Sequence, residues 1–204
     1  MPNSMTDEQK TIYAVGLSIY QSLGPLNLSP DELTIVKQAI TDAAAGKPAV
    51  DLKTWGPQIQ ALARTRATQV AEQQKAASQA YLAKAAAEPG AVQTPSGLVY
   101  HELRPGTGAS PKATDRVKVN YRGTLVNGTE FDSSYSRNEP AEFALNQVVP
   151  CWTEGLQLMK VGGKAQLVCP SSLAYGEQGR PGIPPGAALI FDIELLDIIG
   201  GAAQ

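Results

Sequence analysis

Two aromatic rings and one carboxylate are brought together by a predicted turn within residues 117–132. Apolar side chains occupy every second position up to Tyr121, which predicts a strand, and the Asn-Gly pair at 127–128 predicts a hairpin turn. The returning strand would carry Phe131 and Asp132 to the same neighbourhood. Such a strand pair is a candidate pocket wall. The alternative is an ordinary aromatic core with Asp132 in a turn.

Side-chain sets for covalent, metal-dependent or phosphate-transfer chemistry are missing from the sequence. The chain has one histidine, no Cys/His spacing typical of a metal site, no glycine-rich phosphate loop and no Ser-His-Asp candidate set. We therefore expect a function that needs neither a metal nor a cofactor. His101 itself is most simply a surface residue of a strand.

Composition predicts a soluble protein with one large domain or two small ones. The chain has 204 residues, of which 43% are hydrophobic and 18% are charged. A formal net charge of -2 argues against nucleic acid as the main partner, because phosphate binding requires a basic surface. No apolar run approaches the roughly 20 residues of a transmembrane segment. No charged-then-apolar leader opens the chain, so we expect any signal peptide to have been removed.

Two short amphipathic helices are predicted within residues 1–50. Thr6 and Gln9 have the spacing of a capping box, and Ser29 followed by Pro30 is a typical start for the second helix. Helices of this size cannot bury their apolar faces on each other alone. We therefore expect residues 1–50 to form a homodimerisation module. Packing against the C-terminal domain is the alternative.

A long third helix is predicted within residues 51–90, from Asp51 to Ala87. Its first half carries an apolar stripe that includes Trp55, and the stripe fades beyond Val70. A strong helix former that is polar on every side is typical of a solvated spacer. At about 1.5 Å per residue the helix would be roughly 50 Å long, which would hold the C-terminal domain away from the N-terminal module.

Residues 91–204 have a β-rich pattern, so the predicted fold class is α+β. Short apolar or alternating runs predict an antiparallel sheet of about five strands wrapped on one short helix that begins at Cys151. The last two strands flank a loop at 175–186 that is dense in glycine and proline. Such loops often line functional sites.

Five motifs in one order give the C-terminal half a specific resemblance. They are Val-Asn-Tyr-Arg-Gly at 119–123, Phe-Asp-Ser-Ser at 131–134, Val-Val-Pro-Cys-Trp at 148–152, Leu-Ala-Tyr-Gly at 173–176 and Leu-Ile-Phe-Asp-Ile-Glu-Leu at 189–195. Together they resemble the FKBP-type peptidyl-prolyl cis-trans isomerases. The helical N-terminal half more loosely resembles the Mip-like (macrophage infectivity potentiator) bacterial subgroup.

This resemblance implies an FKBP-like sheet and an enzyme that accelerates X-Pro rotation in unfolded or surface proteins. It implies proline-containing polypeptides as substrates, FK506- or rapamycin-type macrolides as inhibitors, and homodimers joined through the N-terminal helices. The implied location is the periplasm or the outer cell surface, with the cytoplasm as the alternative. The rotation barrier of about 18–20 kcal/mol comes from amide resonance. Removing water from the amide and favouring a twisted C–N bond therefore lowers the barrier without a nucleophile.

The resemblance also assigns roles to residues. Asp132 would lie near the twisting carbonyl, Tyr175 would offer a hydroxyl to the substrate backbone, and Trp152 would be the floor under the proline ring. Arg137 is expected to pair with Asp132 and keep it ionised; a solvated loop charge is the alternative. The other substrate-binding residues implied are Tyr121, Phe131, Phe143, Val148, Val149, Ile183 and Phe191, for which core packing is the alternative.

Three positions depart from the family pattern. Ala141 stands where many members have a second aromatic residue, and Ile183-Pro184-Pro185 is one residue shorter than the Gly-Ile-Ile-Pro-Pro of cytosolic single-domain members. Arg180 replaces a histidine or neutral residue that is frequent at the loop tip. These departures leave the flanking preference for substrates open.

The two cysteines, Cys151 and Cys169, could form a disulfide. In the resembled fold, the helix that begins at Cys151 packs on the strand that ends at Cys169, behind the pocket. One bridge in a chain without other cysteines suits an oxidising compartment. The alternative is a pair of reduced, buried residues.

Two other functional classes stay open. In a chaperone, the cleft between the two arms of a dimer would hold clients and the isomerase pocket would be secondary. In a surface-interaction protein, the same pocket would bind a proline-containing partner. An isomerisation assay beside an aggregation assay on a proline-independent client would separate an enzyme from a chaperone.

Overall fold

The computed structural model describes residues 5–201. One compact unit extends to Val70 and a second begins at Ala71. The helices are α1 Asp7–Ser22, α2 Pro30–Ala44, α3 Leu52–Ala86 and α4 Pro150–Gln157. The strands are β1 Ala91–Gln93, β2 Val99–Arg104, β3 Asp115–Leu125, β4 Glu130–Ser133, β5 Ala141–Ala144, β6 Lys164–Cys169 and β7 Leu189–Gly201. The predicted α+β class is confirmed, and none of the described helices could cross a membrane.

Capping boxes begin the first two helices; the sequence predicts the box at Thr6 and, for the second helix, Ser29 as the cap. The Thr6 hydroxyl accepts from the Gln9 backbone N–H, and the Gln9 side chain accepts from the Thr6 N–H. Ser29 and Glu32 repeat this exchange at the start of α2. Arg66 of α3 also donates to Glu32, and this hydrogen bond is the main cause that lowers the pKa of Glu32 to about 2. The ion pair therefore ties α2 to α3.

The apolar side chains of α1, α2 and the first half of α3 remain exposed. Neither α1 nor α2 contains a buried residue. Ile12 is 64% exposed, Ile35 69% and Trp55 58%. The N-terminal helices therefore leave many large apolar side chains accessible to solvent.

The second half of α3 packs against the sheet, so the expectation that it is solvated on every side is wrong. Ser78 and Ala85 are buried, and Ala85 belongs to a cluster with Val99, Val168 and Ile190. Alanine and serine contribute little to a hydrophobic stripe, but their small size lets a helix approach a sheet closely. The stripe therefore faded in the sequence although the helix has a buried face.

Within residues 5–201 the sheet has seven strands rather than the five or so predicted. Their order is β1-β2-β6-β7-β3-β4, β5 also pairs with β3, and every pair is antiparallel. Short strands such as the three residues of β1 cannot show a period of two. The alternation in β3 is as predicted, with Val117, Val119 and Tyr121 buried.

Two glycines allow the close approaches on which the site depends. A Cβ at Gly155 of α4 would lie 2.5 Å from a Leu167 methyl group on β6, and a Cβ at Gly123 of β3 would lie 2.6 Å from the Phe131 ring. Either distance is far below van der Waals contact. Glycine at these positions lets α4 sit directly on the sheet and lets the Phe131 ring cross β3.

Candidate active site

A cavity of about 550 Å³ lies among β3, β4, β5, β7, α4 and the 175–186 loop, and we call it the main cavity. It is lined by Tyr121, Phe131, Asp132, Phe143, Gln147, Val148, Val149, Trp152, Tyr175, Arg180 and Phe191. All the site residues expected from the sequence are in this set except Arg137 and Ile183. Gln147 and Arg180 were not expected there. The position of Gln147 directly before the Val148–Trp152 motif was the only available signal for it.

The Trp152 indole lies at the base of the main cavity, with other rings edge-on to it. Its centroid is 5.1 Å from that of Tyr121, 5.2 Å from Phe143 and 5.3 Å from Phe191, with interplanar angles of 83–86°. Edge-to-face packing at these distances is favourable. Trp152 is 4% exposed, and its Nε1 has no hydrogen-bond partner among the described residues. The base of the cavity is therefore a rigid aromatic surface.

Local sequence explains how Trp152 reaches this position. Val149 is extended and Pro150 occupies the first helical position of α4, where its missing N–H costs nothing. Trp152 then falls in the first turn. The Thr153 hydroxyl donates to the Leu145 carbonyl at 2.5 Å, which ties the start of α4 to the segment after β5.

Three polar groups form a closed hydrogen-bonded set at one side of the main cavity. The Tyr121 hydroxyl donates to Asp132 Oδ2 at 2.5 Å, Arg137 Nη1 donates to Asp132 Oδ1 at 2.6 Å, and Arg137 Nη2 donates to the Tyr121 hydroxyl at 2.8 Å. The ion pair expected between Arg137 and Asp132 is thus present. Arg137 lies behind the carboxylate and does not line the cavity.

This set determines which groups are charged at neutral pH. Burial raises the pKa of Asp132, but hydrogen bonds from Tyr121 and Arg137 outweigh it and leave the pKa below its usual 3.8. Burial, aided by the hydrogen bond to Asp132, raises the pKa of Tyr121 to about 12. Asp132 is therefore ionised and Tyr121 is a neutral hydrogen-bond donor.

The hydroxyl of Tyr175, which also lines the main cavity, is held by Arg180. Arg180 Nη1 donates to the Tyr175 hydroxyl at 3.0 Å, and the guanidinium lies 5.0 Å from the centre of the Tyr175 ring. Since the hydroxyl oxygen accepts this bond, its hydrogen is available to a ligand. The Gly186 N–H closes the loop by donating to the Gly176 carbonyl at 3.0 Å.

A second cavity of about 440 Å³, the flanking cavity, adjoins the first. The two share Phe131, Asp132, Tyr175 and Arg180, and the flanking cavity is completed by Thr129, Glu130, Pro181, Gly182 and Ile183. Ile183, expected to close one side of the proline pocket, therefore lies beyond the Tyr175 rim.

Cys151 and Cys169 lie directly behind the main cavity. The structure joins them as a disulfide between α4 and β6, with their Cα atoms 5.8 Å apart, and both residues are fully buried. Because Cys151 precedes Trp152, the bridge connects the base of the cavity to the central sheet.

Family comparisons agree with this geometry over both halves of the chain. Residues 108–196 match the family described as FKBP-type peptidyl-prolyl cis-trans isomerase. Residues 8–101 match the family described as the domain amino terminal to FKBP-type peptidyl-prolyl isomerase.

Individual relatives match most of the chain. FkpA of Aeromonas hydrophila is 42% identical, over 97% of this chain and 78% of the relative. The FKBP-type 22 kDa isomerase of Escherichia coli K12 is also 42% identical, over 97% of this chain and 98% of the relative. The crystal structure of FkpA from Escherichia coli superposes with a TM-score of 0.73 at 38% identity, over 97% of this chain and 99% of that chain. The chain is therefore an enzyme that catalyses cis-trans isomerisation of X-Pro bonds. It belongs to the FKBP-type peptidyl-prolyl cis-trans isomerases and has both the amino-terminal and the isomerase domain of that family.

Proposed function

We propose that the main cavity is where this isomerase holds the substrate proline, with the ring on Trp152 and the X-Pro amide between Asp132 and Tyr175. The edge-on packing of three rings around Trp152 carries this proposal. It makes a flat apolar base for a five-membered ring. The volume of about 550 Å³ is within the usual range for ligand sites and leaves room for the residue before proline.

Catalysis in this arrangement is electrostatic. Resonance places partial negative charge on the oxygen of the planar amide, and twisting the C–N bond removes that charge. Apolar walls exclude the water that would solvate the planar form. The ionised Asp132 carboxylate, beside the amide oxygen, destabilises the planar form more than the twisted one. Every 1.36 kcal/mol by which the barrier of about 18–20 kcal/mol is lowered gives a tenfold faster rotation.

The Tyr175 hydroxyl serves to orient the substrate. Its oxygen accepts from Arg180, which directs its hydrogen away from the arginine, and a substrate backbone carbonyl is the natural acceptor. Fixing the chain on one side of the X-Pro bond allows the other side to rotate. The role is one of positioning within the binding site.

Fluorescence of a single tryptophan tests this assignment. Trp55 and Trp152 are the only tryptophans, so Trp55→Phe leaves Trp152 as the sole reporter. Titration with a proline peptide or with FK506 should change Trp152 emission, and FK506 should inhibit turnover of an Ala-Xaa-Pro-Phe peptide over the same concentration range. Inhibition without a change in Trp152 emission would place the inhibitor site elsewhere.

We further propose that residues 1–50, with the exposed first half of α3, join two copies in a homodimer. The exposed apolar residues of α1 and α2 support this interface. A deletion that ends at residue 70 should give a folded, active monomer. Deletion to residue 88 would also remove the buried Ser78 and Ala85, so it should give a less stable product. A dimer that persists after deletion to residue 70 would place the interface elsewhere.

The same surface supports a second function, the binding of unfolded clients. Such clients would bind at or beside the dimer interface, where Tyr13, Tyr20 and Ile40 are more than half exposed. Aggregation suppression on a proline-independent client should be lost with residues 1–70, while turnover of short peptides is kept.

The disulfide supports location in an oxidising compartment such as the periplasm.

A further inference from the structure

Arg180 places a positive charge at the junction of the main and flanking cavities. Among the described residues it is the only lysine or arginine that lines either one. Its guanidinium stacks on Tyr175 and donates one hydrogen bond to the Tyr175 hydroxyl. The side chain is otherwise exposed, and a guanidinium has four further N–H donors.

The carboxylates that line these cavities are already paired with other arginines. Asp132 accepts from Arg137 at 2.6 Å. Glu130 accepts from Arg122 Nε at 2.7 Å, and this hydrogen bond is the main cause that lowers the pKa of Glu130. The two acidic groups and their two partners therefore cancel in charge. Arg180 is therefore the positive charge at these cavities that neither carboxylate balances.

The nearest acidic residue in the loop is also engaged elsewhere. Glu177 precedes Arg180 by three positions, but its Oε1 lies 3.4 Å from Lys75 Nζ on α3. Across residues 5–201, no carboxylate pairs with Arg180. The rim of the site thus carries one uncompensated positive charge that solvent and ligands can reach.

We propose that Arg180 makes this isomerase prefer substrates with an acidic side chain flanking the proline. The inference rests on the proposed role of the main cavity. A polypeptide whose proline lies on Trp152 leaves the main cavity over a rim that the flanking cavity shares. A glutamate or aspartate there meets the free edge of the guanidinium, which binds carboxylates through two parallel hydrogen bonds.

The expected preference is modest because the charge is exposed. Solvent-exposed ion pairs at 25 °C correspond to a factor of about two to five. Salt at about 1 M reduces the Debye length to roughly 3 Å, so the preference should shrink at high ionic strength. A preference that arises from shape would not respond to salt.

Matched peptides measure this preference in the full-length enzyme. Each position on either side of proline is occupied in turn by glutamate or by its neutral isostere glutamine, and kcat/KM is measured for both. The ratio of the two kcat/KM values reports the effect of the peptide's charge, because a change in loop stability would affect both peptides equally. The enzymes are the native chain, Arg180→Gln, Arg180→Lys and Arg180→Glu. Arg116→Gln is the control, because it removes one positive charge from an exposed site that lines neither cavity.

At one or more flanking positions, the native enzyme and Arg116→Gln should favour glutamate about two- to fivefold. Arg180→Lys should retain the preference, Arg180→Gln should abolish it, and Arg180→Glu should reverse it. A glutamate-to-glutamine ratio that is the same in the native enzyme and Arg180→Gln at every position overturns the inference. Failure of the native enzyme on all proline peptides would instead refute the proposed function.

Discussion

The buried hydroxyl of Ser78 supplies a quantitative test of how α3 supports the end of the 175–186 loop. Ser78 is 4% exposed, and its Oγ accepts the Ala188 backbone N–H at 2.8 Å. Ala188 is fully buried and lies between the loop that carries Tyr175 and the start of β7. Substitution Ser78→Ala removes the acceptor without adding volume.

The expected loss of stability follows from the N–H that is left behind. A buried donor without a partner costs about 1–3 kcal/mol, and the better helix propensity of alanine returns up to about 0.5 kcal/mol. The net destabilisation is then about 0.5–3 kcal/mol. For a chain of this size, this corresponds to a melting temperature lower by roughly 1–12 °C. Turnover should also fall, because the end of the 175–186 loop loses the hydrogen bond that fixes it to α3.

Thermal unfolding and amide exchange of the full-length protein check this prediction. The Ala188 amide should exchange faster in Ser78→Ala than in the native chain. Gln79→Ala is the control, since Gln79 is the exposed neighbour on the same helix and surface changes usually stay within about 0.5 kcal/mol. Equal melting temperatures and equal Ala188 exchange in the two variants would refute the bracing role of α3.

Four further predictions concern the main cavity and its support. Asp132→Ala and Tyr175→Phe should lower kcat/KM for a proline peptide while the melting temperature changes little, because both side chains are partly exposed at the rim; unchanged turnover in Asp132→Ala would remove it from the mechanism. Trp152→Ala should lose about 3–5 kcal/mol of stability together with activity, as measured by denaturant unfolding, and a stable but inactive product would contradict its role in the core. The Asp132 carboxylate has a lowered pKa, so its contribution to turnover is fully present above pH 3.8 and is lost only as pH falls through the lowered pKa. Arg137→Gln should move this acid limb to higher pH, and an unmoved pH–rate profile would exclude the ion pair as its cause. The Cys151–Cys169 bridge closes a separation of 18 residues, worth roughly 3 kcal/mol; two free thiols in protein made in an oxidising compartment would exclude the bridge.

Much of the fold could be predicted because its signals are local. The capping box at Thr6 and the cap at Ser29 depend on side chains within three residues of the helix start, so they are visible in the sequence and are present in the structure. The alternation that ends at Tyr121 likewise reports one buried face of one strand. The family resemblance, carried by five ordered motifs, is confirmed by the family comparisons.

Residues distant in sequence account for what could not be predicted. The Ser78 hydroxyl meets a backbone N–H 110 positions away, and no pattern within α3 announces that contact. Strand β2 pairs with β6 rather than with its sequence neighbour β3, because pairing is decided by the packing of the whole sheet. Short strands such as β1 become strands only through a partner.

The candidate site likewise has one part that could be predicted from the sequence and another part that could not. By itself, the sequence determined which aromatic residues and which carboxylate come together, since the motifs that contain Phe131, Asp132 and Trp152 carry that information. Only the tertiary structure decided where charge remains at the rim. Within residues 5–201 no carboxylate pairs with Arg180, and Glu177 of the same loop lies beside Lys75 on α3 instead. Electrostatic balance is a property of distances in space, which the order of residues along a chain does not specify.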